Sequence, residues 1–159
     1  MKADILMARG LRLLNTGQAD AALAIAEALY AIRYSGAFDI HAQALDQLGR
    51  KSDAIILLRQ SLTVAPDAWV NANLLAGYLC DEGKFEDAFS VYEGALDMPG
   101  VDRAVVEISY ALDLDRAGWS EEARSRVKAW LAHDAVAVRP GLRRAVDKLA
   151  RDLGLEAPT

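Results

Sequence analysis

The feature that most restricts the fold of this sequence is a residue pattern that recurs through most of the chain. Its anchors are four glycines, which are separated by 32, 34 and 35 residues: Gly17, Gly49, Gly83 and Gly118. A leucine stands four residues before each glycine, a small residue seven before it, and an alanine five after it. A unit of this length cannot bury its apolar surface alone, so the copies must stack on one another. The sequence therefore predicts a repeat protein.

The third copy indicates what one unit looks like. The stretch Trp69 to Asp81 is rich in apolar residues and follows Pro66 and Asp67, which are typical of a helix start. Gly83 then permits a tight turn. After the turn, six apolar residues have the spacing of one helix face: Phe85, Ala88, Phe89, Tyr92, Ala95 and Leu96. Each copy is thus predicted to be a helical hairpin, and four copies give eight helices.

These residues resemble the tetratricopeptide repeat, a helix-turn-helix unit of about 34 residues. The third copy matches that pattern best, through Leu75, Ala76, Leu79, Ala88, Tyr92 and Ala95. The second copy matches nearly as well, through Ala42, Leu45, Ala54, Leu62 and Pro66. The first and last copies diverge, as terminal repeats often do. The resemblance implies an all-α, right-handed solenoid of helical hairpins, with four repeats in residues 3–134.

One more helical pattern follows the repeats. Pro140 can open a helix because proline is tolerated in the first turn. The residues after it combine an apolar stripe with basic residues elsewhere around the helix: Arg143, Arg144, Lys148 and Arg151. We expect residues 139–155 to form a C-terminal capping helix with a solvated outer surface.

Composition and charge narrow the class of protein. The 159 residues include 18 Lys and Arg against 23 Asp and Glu, and the net charge of −5 argues against a nucleic-acid partner. The single cysteine, Cys80, cannot form an internal disulfide and belongs to no zinc-binding pattern. The longest apolar stretch is too short for a membrane helix, and the N-terminus lacks a signal-peptide pattern. We expect a cytoplasmic protein without a membrane partner.

No catalytic constellation can be assembled from the sequence. The two histidines, His41 and His133, are about ninety residues apart, and stacked repeats contact only their neighbours. Cys80 has no histidine close to it in the sequence, and no glycine-rich loop of the phosphate-binding kind is present. We therefore expect a non-enzymatic protein with no catalytic residue, no metal ion and no cofactor.

In the family that the sequence resembles, the first helix of each pair lines a concave groove, and the binding residues lie at fixed distances before the turn glycine. Transferring that register predicts an apolar groove with acidic edges. The predicted groove residues are Met7, Leu11, Asp39, Ile40, Gln43, Asp46, Val70, Asn73, Leu74, Asp81, Ile108, Leu112 and Asp115. The alternative for the apolar members is that they form core between adjacent helices.

The same register argues against one known role of the family, the binding of the acidic C-terminal peptides of heat-shock chaperones. In the resembled family that role depends on a clamp of Lys, Asn and Arg side chains, which holds the peptide carboxylates. At the matching positions this sequence has apolar residues instead: Met7, Leu11, Ile40, Val70 and Leu74. Nothing here would offset the desolvation of a peptide carboxylate. We expect the partner to be a peptide or helix of another protein, apolar with basic flanks, bound by an adaptor or a secretion-type chaperone. The alternative is a structural subunit that self-associates, as in a homodimer.

Overall fold

The structure is a computed structural model that describes residues 2–134 and 140–155, without the side chains of residues 133, 134 and 140. The described residues form nine α-helices and no strand, which confirms the prediction of an all-α chain of helical hairpins. No helix in this part of the chain is both long and apolar enough to cross a membrane. The chain divides into two compact units, Met1–Tyr78 (unit 1) and Leu79–Thr159 (unit 2).

Unit 1 contains four complete helices and most of a fifth. The helices are α1 (Lys2–Asn15), α2 (Ala19–Ala31), α3 (Ala37–Gln47), α4 (Lys51–Val64) and the first part of α5 (Trp69–Asp81). From α1 to α4, each helix packs on the next, and α1 also packs on α3. This pattern places the first helices of successive pairs side by side, as expected of stacked hairpins.

Unit 2 begins with the end of α5 and continues through four more helices. These are α6 (Phe85–Leu96), α7 (Arg103–Arg116), α8 (Ser120–Asp134) and α9 (Pro140–Asp152). Helix α7 packs on α6, α8 and α9. We call α1, α3, α5 and α7 the first helices of their pairs. Residue 139, with which the predicted capping helix begins, lies outside the described residues.

The four repeat glycines are required by the backbone and not by lack of space. Their φ angles lie between 72° and 87°, and no atom lies within 4 Å of where a Cβ would be. In every turn the residue after the glycine donates its backbone N–H to the leucine carbonyl four residues before the glycine, at 2.8–2.9 Å. This bond closes the end of the first helix, and only the left-handed conformation of the glycine permits it.

The small residues of the repeat are buried. Ala42, Ala76 and Ala111 are completely buried, and Gly10 takes their place in the first copy. A Cβ on Gly10 would lie only 3.0 Å from a side-chain carbon of Ile40. A larger side chain at any of these positions would have to displace the atoms packed around it.

Unit 2 has an aromatic core that includes buried charges. The rings of Tyr92 and Tyr110 stack with their centres 4.9 Å apart. The Tyr92 hydroxyl donates a 2.6 Å hydrogen bond to Asp113, and Arg116 donates a 2.8 Å bond to the same carboxylate. Asp113 is only 5% exposed, so these two donors are what make its burial tolerable.

Candidate functional site

The predicted groove residues of unit 1 lie on α1, α3 and α5, and they differ widely in exposure. Leu11 and Val70 have 39% and 42% of their surface exposed. Met7 and Leu74 are half-buried. The Met7 sulfur lies 2.8 Å from where a Cβ on Gly36 would be, so it fills the space between α1 and the start of α3. Among the predicted positions of unit 1, Leu11 and Val70 are the apolar side chains that a partner can best reach.

Two predicted groove residues belong to the core instead. Ile40 has no exposed surface, because α1 crosses so closely at Gly10 that it covers the Ile40 side chain. In unit 2, Ile108 is 8% exposed, whereas Leu112, one turn further along α7, is 42% exposed. For Ile40 and Ile108 the alternative reading of the sequence is therefore the correct one, and packing explains their apolar character.

Three of the four acidic residues predicted at the groove edges are engaged within the chain. In unit 1, an oxygen of Asp46 lies 3.4 Å from Lys51 Nζ. In unit 2, Asp81 accepts a 2.8 Å hydrogen bond from Arg116. Asp115 accepts a 2.6 Å hydrogen bond from the hydroxyl of Ser120, the first residue of α8. These contacts give the three carboxylates a structural role and leave them less able to attract a basic partner.

Asp39, the fourth acidic residue, has no such cation. Its Oδ1 accepts a 2.6 Å hydrogen bond from Gln43, one turn later on α3. No Lys or Arg in the described part of the chain pairs with it. Burial raises the pKa of Asp39 above its ordinary value, and the hydrogen bond from Gln43 offsets this only in part. A cation brought by a partner would therefore stabilise this carboxylate.

Asn73 occupies the same repeat position on α5 that Asp39 occupies on α3, ten residues before the turn glycine. Its Oδ1 is buried without a hydrogen-bond donor among the described residues. The nearby Asn71, in contrast, donates a 3.2 Å hydrogen bond to Ser61. A buried acceptor without a donor costs about 1–3 kcal/mol. The first helices of unit 1 thus carry two incompletely satisfied polar groups in one register.

A cavity of about 520 Å³ lies on α7 and α8 of unit 2, and charged side chains line much of it. Arg126 donates hydrogen bonds to Glu107 at 2.6 Å and to Glu93 at 2.8 Å. Its guanidinium carbon also lies 4.1 Å from the centre of the Tyr110 ring. Because these charges already neutralise one another, they have little to offer a ligand.

The side chains that the sequence offered for catalysis, those of His41 and Cys80, are held in packed surroundings. His41 Nδ1 lies 3.1 Å from the Tyr30 hydroxyl, and burial lowers the pKa of His41. Burial, with the nearby Asp113 carboxylate, raises the pKa of the Cys80 thiol to about 12, which keeps it protonated and unreactive near neutral pH. Among the described residues, no three His, Cys, Asp or Glu side chains are placed to hold a metal ion. The side chain of His133 lies outside the described residues.

Two residues of unit 2 were not singled out from the sequence. Asp113 lies between apolar residues on the buried side of α7, and a polar residue in such a position is a usable signal. Trp119 directly follows the turn glycine and is 44% exposed. At this position the other copies have a polar residue, so aligning the repeats would have marked the tryptophan: Gln18, Arg50 and Lys84.

Comparison with known proteins identifies the fold. No protein-family model and no curated protein sequence matches the chain. Among solved structures, the thermophilic TPR protein TTC0263 of Thermus thermophilus is similar, with a TM-score of 0.70 and 22% identity over 96% of this chain and 83% of that one. The nearly identical TPR-like repeats of a candidate kinesin light chain from Podosopora anserina have a TM-score of 0.67 and 16% identity, over 96% of this chain and 93% of that one. A structure of MamA from MSR-1 has a TM-score of 0.57 and 20% identity, over 96% of this chain and 87% of that one.

Proposed function

We propose that this chain, which has the tetratricopeptide-repeat fold of those structures, is a non-enzymatic cytoplasmic module that binds a segment of another protein. The binding surface is the exposed face of the first helices of unit 1. The segment is a peptide or helix with apolar residues and flanking Lys or Arg. In the cell this activity suits an adaptor or a secretion-type chaperone.

The observation that carries the proposal is the state of Asp39. A half-buried carboxylate with a raised pKa and no described cation is an unfavourable feature of the free protein. A basic side chain of the partner would turn this cost into a favourable contact, and an acidic partner would make it worse. Asp39 therefore supports a partner with basic flanks.

The apolar part of the segment would contact Leu11 and Val70, which have the exposure that an anchor contact requires. The Asn73 amide lies at the same register as Asp39, and a backbone N–H of the segment could satisfy its oxygen once the side chain turns outward. In unit 2, Leu112 is the exposed apolar residue of the predicted set, and we assign it the same role within that unit. Ordering a short segment limits the affinity, so we expect it to be modest.

The proposal is tested by selecting binders from a random peptide library on the wild-type protein. We expect the enriched peptides to combine apolar residues with Lys or Arg. Leu11→Asp and Val70→Asp should each abolish binding of these peptides, because they place a charge at the apolar anchor positions. The matched control is Val64→Asp, which changes an even more exposed apolar residue on α4, a second helix of the same unit.

Three results would contradict the proposal. The first is a set of enriched peptides without basic residues. The second is binding that Val64→Asp abolishes as completely as Leu11→Asp does. The third is a protein that forms a stable dimer in light scattering and loses that dimer in Leu11→Asp. This third result would favour the self-associating subunit, because a second copy would then cover the same apolar surface.

A further inference from the structure

Trp119 of unit 2 is an aromatic residue at a position where the other repeats have polar ones. It directly follows the turn glycine Gly118, and 44% of its surface is exposed. The ring is nevertheless held in place, since it packs edge-on against Phe89 with the ring centres 5.2 Å apart. A large, fixed and exposed aromatic side chain is suited to contact with a partner.

A cavity of about 430 Å³ lies beside this ring, at the turn between α5 and α6. The residues that line it are Gly83, Lys84, Phe85, Glu86, Asp87 and Trp119. Phe85 stacks on Phe89 with the ring centres 6.2 Å apart. Phe89 thus supports both aromatic side chains that line the cavity.

The charge around this cavity differs from that at the matching turns of unit 1. Each of the four turns is compared over the same window, from two residues before the glycine to four after it. In unit 2 the windows 81–87 and 116–122 contain six acidic residues and two basic ones, whereas in unit 1 the windows 15–21 and 47–53 contain two of each. Of the two basic residues in the unit 2 windows, Arg116 is bound to Asp81 and Asp113, and Lys84 lines the cavity itself. Glu121 is paired with Arg124, which lies just beyond the second window. With Arg124 counted, this edge of unit 2 still has an excess of three acidic residues, against none at the turns of unit 1.

We propose that the cavity beside Trp119 binds the cationic side chain of a Lys or Arg in a partner protein. A cation over an aromatic face gains about 0.5–1 kcal/mol at an exposed site, and nearby carboxylates add to this attraction. Asp87 already has an interaction within the chain, so Glu86 is the carboxylate on which the site depends most. This site is in unit 2 and is distinct from the surface proposed on unit 1.

The site can be tested by NMR with blocked peptides that present one side chain between glycines. Fluorescence is a poor readout because the chain has three tryptophans, whereas the indole N–H of Trp119 gives its own signal. We expect peptides with a central Arg or Lys to shift this signal in a saturable way, with a dissociation constant in the millimolar range. Added salt should weaken the binding, because the site is exposed. Peptides with a central Leu or Glu should cause no saturable shift.

Variants separate this site from a general charge effect. Trp119→Gln introduces the residue of the first copy, and Glu86→Lys reverses the charge of the cavity wall. Because Trp119→Gln removes the indole signal, binding to this variant is followed through the backbone N–H signals of Gly83 and Lys84, which line the cavity. Trp119→Gln should weaken binding of the Arg peptide about two- to fivefold, which is the loss of a contact of about 0.5–1 kcal/mol. Glu86→Lys should weaken it by about tenfold, because it removes an attraction and adds a repulsion. The matched control is Asp20→Lys, which makes the same reversal at the same repeat position in unit 1 and should leave binding unchanged.

Three results would overturn the proposal. The first is equal binding of the Leu peptide, which would make the cavity a general apolar contact. The second is a loss in Asp20→Lys as large as that in Glu86→Lys, which would indicate attraction by net charge alone. The third is full binding by a folded Glu86→Lys protein, a result that stays informative even if Trp119→Gln does not fold.

Discussion

Unit 1 and unit 2 contain the same repeat but are stabilised by different chemistry. In unit 1, the core that α1, α2 and α3 share is aliphatic and small, with residues such as Leu29 and Ala26 packed beside Ile40. The core of unit 2 combines stacked tyrosines with the buried carboxylate of Asp113. The turn geometry is nevertheless the same in both units. The repeat pattern thus determines the backbone and leaves the chemistry of the core free to vary.

The two units also differ in which polar groups are satisfied. In unit 2, Asp113 has two donors and Glu107 is paired with Arg126. In unit 1, Asp39 has no described cation and the Asn73 oxygen has no described donor. Satisfied polar groups stabilise a fold, whereas unsatisfied ones favour a partner that completes them. We infer that the first helices of unit 1 serve binding and that the buried charges of unit 2 serve stability.

Removing the buried carboxylate of unit 2 should have the largest effect. Asp113→Leu leaves the Tyr92 hydroxyl and one side of Arg116 without an acceptor. We expect a loss of about 3 kcal/mol, at the low end for a broken buried pair because Arg116 can reach water. Hydrogen exchange should show weaker protection in α6 and α7 and unchanged protection in α1 to α3. Equal losses of protection in both units would contradict the difference between their cores.

Tyr92→Phe, which removes one of the donors to Asp113, should cost about 1 kcal/mol.

The core of unit 1 should be sensitive to added volume instead. Gly10→Val would place methyl groups against Ile40 and Ile25, whose carbons already lie 3.0–3.2 Å from the Cβ position. We expect a loss of about 1–3 kcal/mol, seen as weaker hydrogen-exchange protection in α1 and α3. If urea denaturation finds no change in stability, the helices are not packed as closely at this point as we describe.

The turn glycines should behave alike in both units. Gly17→Ala in unit 1 and Gly83→Ala in unit 2 should each cost about 1–2 kcal/mol in urea denaturation, because alanine disfavours positive φ. The control is Gly94→Ala, within α6, where φ is not positive and the space is open. This substitution should stabilise the protein by up to about 1 kcal/mol. A neutral Gly83→Ala would show that the turn can adopt another conformation.

The smallest effect concerns the pH dependence of unit 1. Because the pKa of Asp39 is raised in the folded protein, the folded state holds this proton more tightly than the unfolded state does. The contribution of Asp39 to stability therefore falls as the pH rises from its ordinary pKa through its raised pKa. Asp39→Asn should remove this fall, so the variant should gain stability relative to wild type over that range. The test is to measure the urea denaturation midpoints of both proteins across acidic pH. If the midpoint of the variant minus that of the wild type falls as the pH rises, the predicted sign is wrong.

The repeat register was enough to predict the fold, because it records backbone requirements. A glycine with positive φ and a completely buried alanine both restrict which residues are allowed, and such restrictions recur in every copy. The site was harder to predict, because the same register cannot separate an apolar residue that faces a groove from one that faces a neighbouring helix. Ile40 is buried because the first copy has Gly10, which lets α1 approach closely, and Leu11 stays exposed on the same helix.

The partners of charged residues were also beyond a register-based prediction. Asp81 and Arg116 lie 35 residues apart in the sequence, and their side chains meet at the C-terminal ends of α5 and α7. Lys51 pairs with Asp46 across a turn. The register considers each position by itself and does not show which side chains meet. It therefore predicted an acidic groove edge, although most of these carboxylates are bound to other side chains of the chain. Asp39 differs because its described side-chain partner is a neutral amide, that of Gln43.

The central claim is that incompletely satisfied polar groups in unit 1 serve binding and that satisfied ones in unit 2 serve stability. Two matched substitutions test it most directly. Asp39→Asn and Asp113→Asn both replace a carboxylate by an amide of the same shape, one in each unit. The measurement is the thermal midpoint of each protein with and without a peptide selected on the wild type. We predict that Asp39→Asn raises the midpoint of the free protein and reduces the shift caused by the peptide, whereas Asp113→Asn lowers the midpoint and keeps the shift. A lower midpoint with an intact peptide shift in Asp39→Asn would contradict the claim.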